Sequence, residues 1–110
     1  MFAACDVVLL PYLGHFGSSG LQVRAAGAGR PVIASDEELV GRLVREHGLG
    51  PVFPSGNAAA LREVLDATAR APEAELVRWQ AAARAYAPKC SRAAWRAALL
   101  DSFARAVAAE

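Results

Sequence analysis

The sequence is poor in groups that usually announce a chemistry. It has two cysteines, Cys5 and Cys90, in apolar or helical contexts without metal-ligand spacing, so they read as buried free thiols of a reducing compartment. Charge of one sign is also missing. Twelve basic residues against eleven acidic ones leave a net charge of +1, which gives no handle on nucleic acid or an anionic membrane surface. Met1 to Cys5 lacks the basic start of a leader, and Asp6 cuts the apolar run that follows. No run approaches transmembrane length, so a cytoplasmic protein without a membrane span is expected. No Ser-His-Asp arrangement, zinc spacing or basic stripe is present, and neither a metal nor a cofactor is expected. Glu37 and Glu38 are the only close carboxylates, and adjacent helical residues do not converge on one substrate atom, which argues against a glycosidase pair. Repeats and low-complexity linkers are lacking too.

What is present is one domain's worth of chain, 110 residues, organised around Cys5 to Ser35. Val7 to Leu10 is a continuous apolar run, the pattern of a strand buried on both faces of a parallel sheet. Gly14, Gly17 and Gly20 break it and allow a close-approaching backbone. Ser18 and Ser19 are good N-caps, so a helix should open near Gly20 and run through Ala28, with Gly29 at its C′ position and Arg30-Pro31 preventing its continuation. Val32 to Ala34 is the next strand. A strand, a glycine turn and a helix N-terminus together make an anion site, because free N–H groups point out of the first turn. A tight turn without a ligand fits the same residues equally well, since the spacing is neither Gly-x-Gly-x-x-Gly nor a P-loop.

Beyond Ser35, Ser35-Asp36 reads as the cap of a second helix, with Glu37 and Glu38 in its first turn, where the macrodipole favours them. Leu39, Val40, Leu43, Val44 and His47 share one face, and Gly48 ends the helix. Pro51-Val52-Phe53 is a short third strand and Asn57 a cap. Leu61, Val64, Leu65 and Thr68 mark a third helix, and Leu76, Trp79, Ala83 and Tyr86 a fourth that begins after Pro72. Ala87-Pro88-Lys89 breaks it. Ser91 caps a last helix in which Trp95, Leu99, Phe103 and Val107 repeat every four residues. The order β-α-β-α-β-α-α-α predicts an α/β fold, a partial doubly wound (Rossmann-like) three-layer arrangement with about three parallel strands and C-terminal helices. Residues 1–56 form its strand and helix core with the glycine loop, and residues 57–110 its helical part.

The stretch from Asp6 to about Leu65 resembles the C-terminal, donor-binding domain of GT-B-fold glycosyltransferases of the group-1 or family-4, retaining kind. The pieces that carry the resemblance are Asp6-Val-Val-Leu-Leu-Pro11, the loop from His15 to Gly20, Ala28-Gly-Arg-Pro-Val-Ile-Ala-Ser35 and Leu39-Val-Gly-Arg-Leu-Val-Arg-Glu-His-Gly-Leu-Gly50. Asn57-Ala-Ala-Ala-Leu61 and Tyr86-Ala87 match more loosely. The resemblance implies transfer of a sugar from a nucleotide-sugar donor to an acceptor, with the diphosphate held at the loop and helix N-terminus. His15, Gly17, Ser18, Ser19, Gly20, Leu21 and Arg24 are the donor or diphosphate candidates it points to. At the two positions where that family carries glutamates for the sugar and ribose hydroxyls, this chain has Phe16 and Arg24, neither of which accepts a hydrogen bond. The family's acceptor domain and the first half of its donor domain are expected to lie outside these residues, making the chain a partial donor-binding domain that does not turn over alone. A non-catalytic α/β binding or interaction module derived from that fold is the alternative.

Several residues keep two readings. His15 is either a ligand contact or a surface-loop histidine. Ser18, Ser19, Gly20 and Leu21 either present N–H groups to an anion or form an ordinary cap, and Arg24 either pairs with phosphate or is a solvated helix residue. Trp79 and Trp95 read as core or interface anchors before sugar platforms, and His47 as a cap for the carbonyls of its helix. Expected partners are a weakly bound nucleotide-sugar or nucleoside diphosphate, and a second copy or a missing half-domain at the Val7–Leu10 edge. That edge is apolar on both faces and carries no Lys or Pro within the run. The C-terminal helices folded over it are the other possible cover.

Overall fold

The computed structural model describes residues 2–109. After a 3-10 turn at Phe2–Ala4 come β1 (Val8–Leu10), α1 (Gly20–Gly27), β2 (Val32–Ser35), α2 (Glu38–His47), β3 (Val52–Phe53), α3 (Ala58–Ala69) and α4 (Glu73–Tyr86). A second 3-10 turn, Ala87–Cys90, leads into α5 (Arg92–Ala108). The three strands form one parallel sheet in the order β1-β2-β3, with Val8 opposite Val32, Leu10 opposite Ala34, and Ala34 opposite Val52. This is the α/β class and strand order that the alternating pattern implies.

Period-two alternation divides the sheet into two faces. Leu10, Val32 and Ala34 join Ala25 and Ala26 of α1, Val40 and Val44 of α2, and Ala83 and Tyr86 of α4 in one buried core. The small residues on α1 let that helix lie close to the strands. On the other face Ile33 and Phe53 are buried, and α3 packs beside β3. Leu9 lies on that second face but is 43% exposed, and Val7 and Val8 are only half-buried. The expectation of a β1 buried on both faces is therefore corrected. As an edge strand, β1 is covered by α1 on one side, while α3 sits two strands away.

Capping follows the local chemistry closely. Ser19, Asn57 and Ser91 each accept a bond from the N–H three residues on, that of Gln22, Ala60 and Ala94. The start of α2 departs from expectation. Its N-cap is Glu37, which makes no capping bond, while Asp36 accepts from Ser55 N–H at 3.3 Å and pairs with Arg45 at 3.5 Å. His47 does not cap carbonyls through its ring. It packs on Tyr86 with ring centroids 4.4 Å apart, and the left-handed Gly48 closes the helix instead. Cys5 and Cys90 are free but half-buried, not buried.

The largest correction concerns α5. Every described residue from Trp95 onward is exposed, Trp95 itself 65% so, and α5 meets the rest of the fold chiefly at its start, beside the 3-10 turn Ala87–Cys90. Trp95 is therefore not a core anchor, and α5 does not fold over β1. Trp79, on α4, is half-buried.

Gly50 fixes the approach of the α2–β3 connection to β2. Its φ is +150°, and a Cβ there would lie 1.8 Å from the Val32 carbonyl oxygen. The adjoining strand bonds, Val32 N–H to Leu49 O at 3.0 Å and Ala34 N–H to Pro51 O at 3.1 Å, leave no room for a shift. Gly50→Ala should therefore destabilise the fold by about 3 kcal/mol or more, through combined steric and backbone strain. Urea unfolding followed by circular dichroism checks this; a loss below about 1 kcal/mol would mean that the connection relaxes freely.

Candidate functional site

The loops that follow β1, β2 and β3 meet at the carboxyl ends of the strands, the edge where open α/β sheets present ligand sites. The glycine loop begins with Tyr12, whose ring stacks on His15 at 4.2 Å and whose hydroxyl shares a 2.8 Å hydrogen bond with Ser19 Oγ. Gly14 supplies the left-handed φ of +63° that turns the chain. Gly17 lies against the His15 ring, where an added Cβ would meet Nε2 at 3.6 Å. Ser19 is buried, has φ +71°, and uses its Oγ to hold both the Tyr12 hydroxyl and the Gln22 N–H. A non-glycine residue held at positive φ costs free energy that the surrounding contacts must offset.

The candidate residues thus separate into groups. Ser19 is committed to the loop and the cap. His15 is half-buried on Tyr12. Ser18, Gly20 and Leu21 are exposed, and the N–H groups of Gly20 and Leu21 have no protein acceptor among the described residues. Arg24 is exposed one turn further along α1. Phe16 projects from the loop with 78% of its surface accessible. Leu13, also exposed, borders a shallow apolar cleft of about 190 Å³ with Pro11, Phe53, Gly56, Asn57 and Leu61.

Two residues carry more of this region than sequence reasoning assigned them. Glu37 Oε1 accepts from Gly14 N–H at 3.0 Å and from the Ser55 hydroxyl, which also lies 3.3 Å from the Tyr12 carbonyl. Ser35 Oγ donates to that same carbonyl at 2.8 Å. The Ser55 hydroxyl, then the Gly14 and His15 N–H groups, hold the Glu37 carboxyl below its ordinary pKa. The sequence marks Glu37 only as a first-turn acid of the second helix. The available signal was topological: in a parallel sheet the loop after β2 must lie beside the loop after β1.

Gln22, the other of the two, is 0% exposed in the first turn of α1, on the face that also buries Ala25 and Ala26, and its amide oxygen and nitrogen have no protein partner among the described residues. Nothing in the local sequence marks this polar position as wholly enclosed.

Fold and site together define an α/β unit with a glycine loop and an open helix N-terminus at the carboxyl end of a parallel sheet. The relationship to known proteins is glycosyltransferase-like. A stretch of 67 residues, 61% of this chain, is 36% identical to a phosphatidyl-myo-inositol mannosyltransferase of Mycobacterium leprae (strain TN). The match covers 18% of that protein, so the chain spans less than a fifth of its relative's length. No family model matches the chain, and no solved structure does. No helix among the described residues is long and apolar enough to cross a membrane, and no three or more His, Cys, Asp or Glu residues among them group to hold a metal.

Gln22 yields a test. A buried amide without partners costs about 1–3 kcal/mol relative to an apolar group of the same shape. Gln22→Met, nearly matched in length, should raise stability by about 1 kcal/mol, seen as a higher midpoint in thermal or urea unfolding. A lower midpoint would mean that enclosed water or a bound group satisfies the amide.

Proposed function

We propose that this chain is a partial donor-binding domain of a GT-B-type glycosyltransferase, and that it holds the diphosphate of a nucleotide-sugar at the N-terminus of α1. The observation that carries the reading is the pair of open N–H groups of Gly20 and Leu21 at the carboxyl end of the sheet, in a chain with a mannosyltransferase relative. Two N–H groups and the positive end of the α1 dipole favour a phosphate there. Ser18 and Gly17 lie in the approach, His15 flanks it, and Arg24 reaches an outer phosphate oxygen. In sugar transfer the same groups would stabilise the departing diphosphate as its charge grows. The relative's name makes a mannosyl donor the first to try. The unit corresponds to one domain, with residues 1–56 as its ligand-bearing part and 57–110 as its helical part, in a cytoplasmic protein. The open side of β1 is where a further strand, from another half-domain or a second copy, would add.

A second reading, a non-catalytic binding module built on the same fold, is favoured by Phe16 and Arg24. Both are exposed, at the positions where the resembled family presents glutamates to sugar and ribose.

Titration of isotope-labelled protein with uridine or guanosine diphosphate should move amide signals within residues 14–24, with a dissociation constant of about a millimolar. Arg24→Ala should weaken binding by about 1–2 kcal/mol, the range for a charge-assisted hydrogen bond. Shifts confined to other parts of the chain would remove the anion site. Unchanged affinity in the variant would leave Arg24 as a solvated surface residue.

A further inference from the structure

We propose that Glu37 is a positioning residue of the glycine loop, its carboxylate clamping the Gly14 backbone from the neighbouring β2 loop so that the N-terminus of α1 stays open to a phosphate. The proposal rests on the anion-binding reading above, and deepens it by naming what holds the site in shape. A carboxylate beside an anion site would ordinarily be a liability, since like charges repel. This one is turned into the loop instead. Its Oε1 takes Gly14 N–H at 3.0 Å and the Ser55 hydroxyl, so a single oxygen ties the loops after β1, β2 and β3. The loop it holds runs on through Tyr12 and His15 to Ser19, whose Oγ meets the Tyr12 hydroxyl and caps α1. Because the Gly14 amide is already committed to Glu37, a phosphate is left to the unbonded N–H groups nearer the start of α1, Gly20 and Leu21 among them.

The groups facing Glu37 are few. The Ser55 hydroxyl and the Gly14 and His15 amides favour its charged form, and the neighbouring Asp36 opposes it. Asp36 is itself paired with Arg45 at 3.5 Å, which limits that opposition. With the folded carboxyl depressed, the clamp is complete above the carboxyl's ordinary value and is released as pH falls through the depressed one.

Charge and positioning make opposite predictions for Glu37→Gln, which keeps an acceptor oxygen and loses the charge. If Glu37 merely lined the site, the variant would bind inorganic pyrophosphate more tightly. If Glu37 positions the loop, binding should weaken about three- to ten-fold, the effect of losing a charge-assisted hydrogen bond. The ligand-free protein gives an independent readout. The Gly14 amide signal should titrate with the Glu37 carboxyl, and Ser55→Ala should shift that titration to higher pH. In Glu37→Gln the hydrogen exchange of the Gly14 amide should quicken at least ten-fold while the β2 amides stay protected. Tighter pyrophosphate binding by the variant, or a Gly14 amide indifferent to the Glu37 carboxyl, overturns the proposal. If the unmodified protein binds no pyrophosphate, the anion-binding reading is what fails, and the clamp stands or falls on the ligand-free Gly14 amide.

Discussion

Strand β2 is the constraint on which the other elements depend. Val32 to Ser35 is buried at every residue and is the one strand paired on both sides. Buried backbone polar groups must be satisfied, so β1 and β3 are positioned by what β2 lacks. Val8 N–H reaches back to Pro31 O at 2.9 Å, while Asp36 N–H takes Phe53 O at 2.8 Å. The same strand fixes the site indirectly. Once β1, β2 and β3 run parallel in register, their three following loops have to emerge side by side, and Gly14, Glu37 and Ser55 meet across them.

Local chemistry made much of the fold legible. Strand and helix order came from hydrophobic periodicity and its interruption by Gly and Pro, and three caps from Ser or Asn at the right offset. What failed was nonlocal. An apolar run cannot report whether a strand is central or at an edge, since that depends on how many neighbours the rest of the chain supplies; hence Leu9. A helical stripe reports amphipathicity and says nothing of what lies opposite, hence Trp95 and Phe103, both well over half exposed. His47 met Tyr86 through a contact between α2 and α4 that no spacing encodes.

The site divides along the same line. The glycine loop and the Ser19 cap were visible because a cap bond spans three residues. Glu37 was hidden because its partners lie 23 and 18 residues away. The role of Ser19 was half visible: the sequence marks it as a cap, but not its second bond to Tyr12, which withdraws its hydroxyl from any ligand. A serine that looks like a ligand group has become part of the frame that leaves the neighbouring N–H groups free.

That division has a physical reason. In a loop with three glycines the backbone is cheap to bend and costly to hold, because glycine loses the most conformational freedom on ordering. A ligand that must order such a loop loses affinity to that cost. Side-chain bonds from outside the loop meet it during folding instead. Tyr12 to Ser19 braces the loop along its length, and Glu37 and Ser55 brace it from the segments that follow β2 and β3. Such braces hold the loop through Gly14 N–H, the Tyr12 carbonyl and the Ser19 hydroxyl, and leave the Gly20 and Leu21 N–H groups among its unoccupied donors, so the end of α1 stays open while the loop is held from elsewhere.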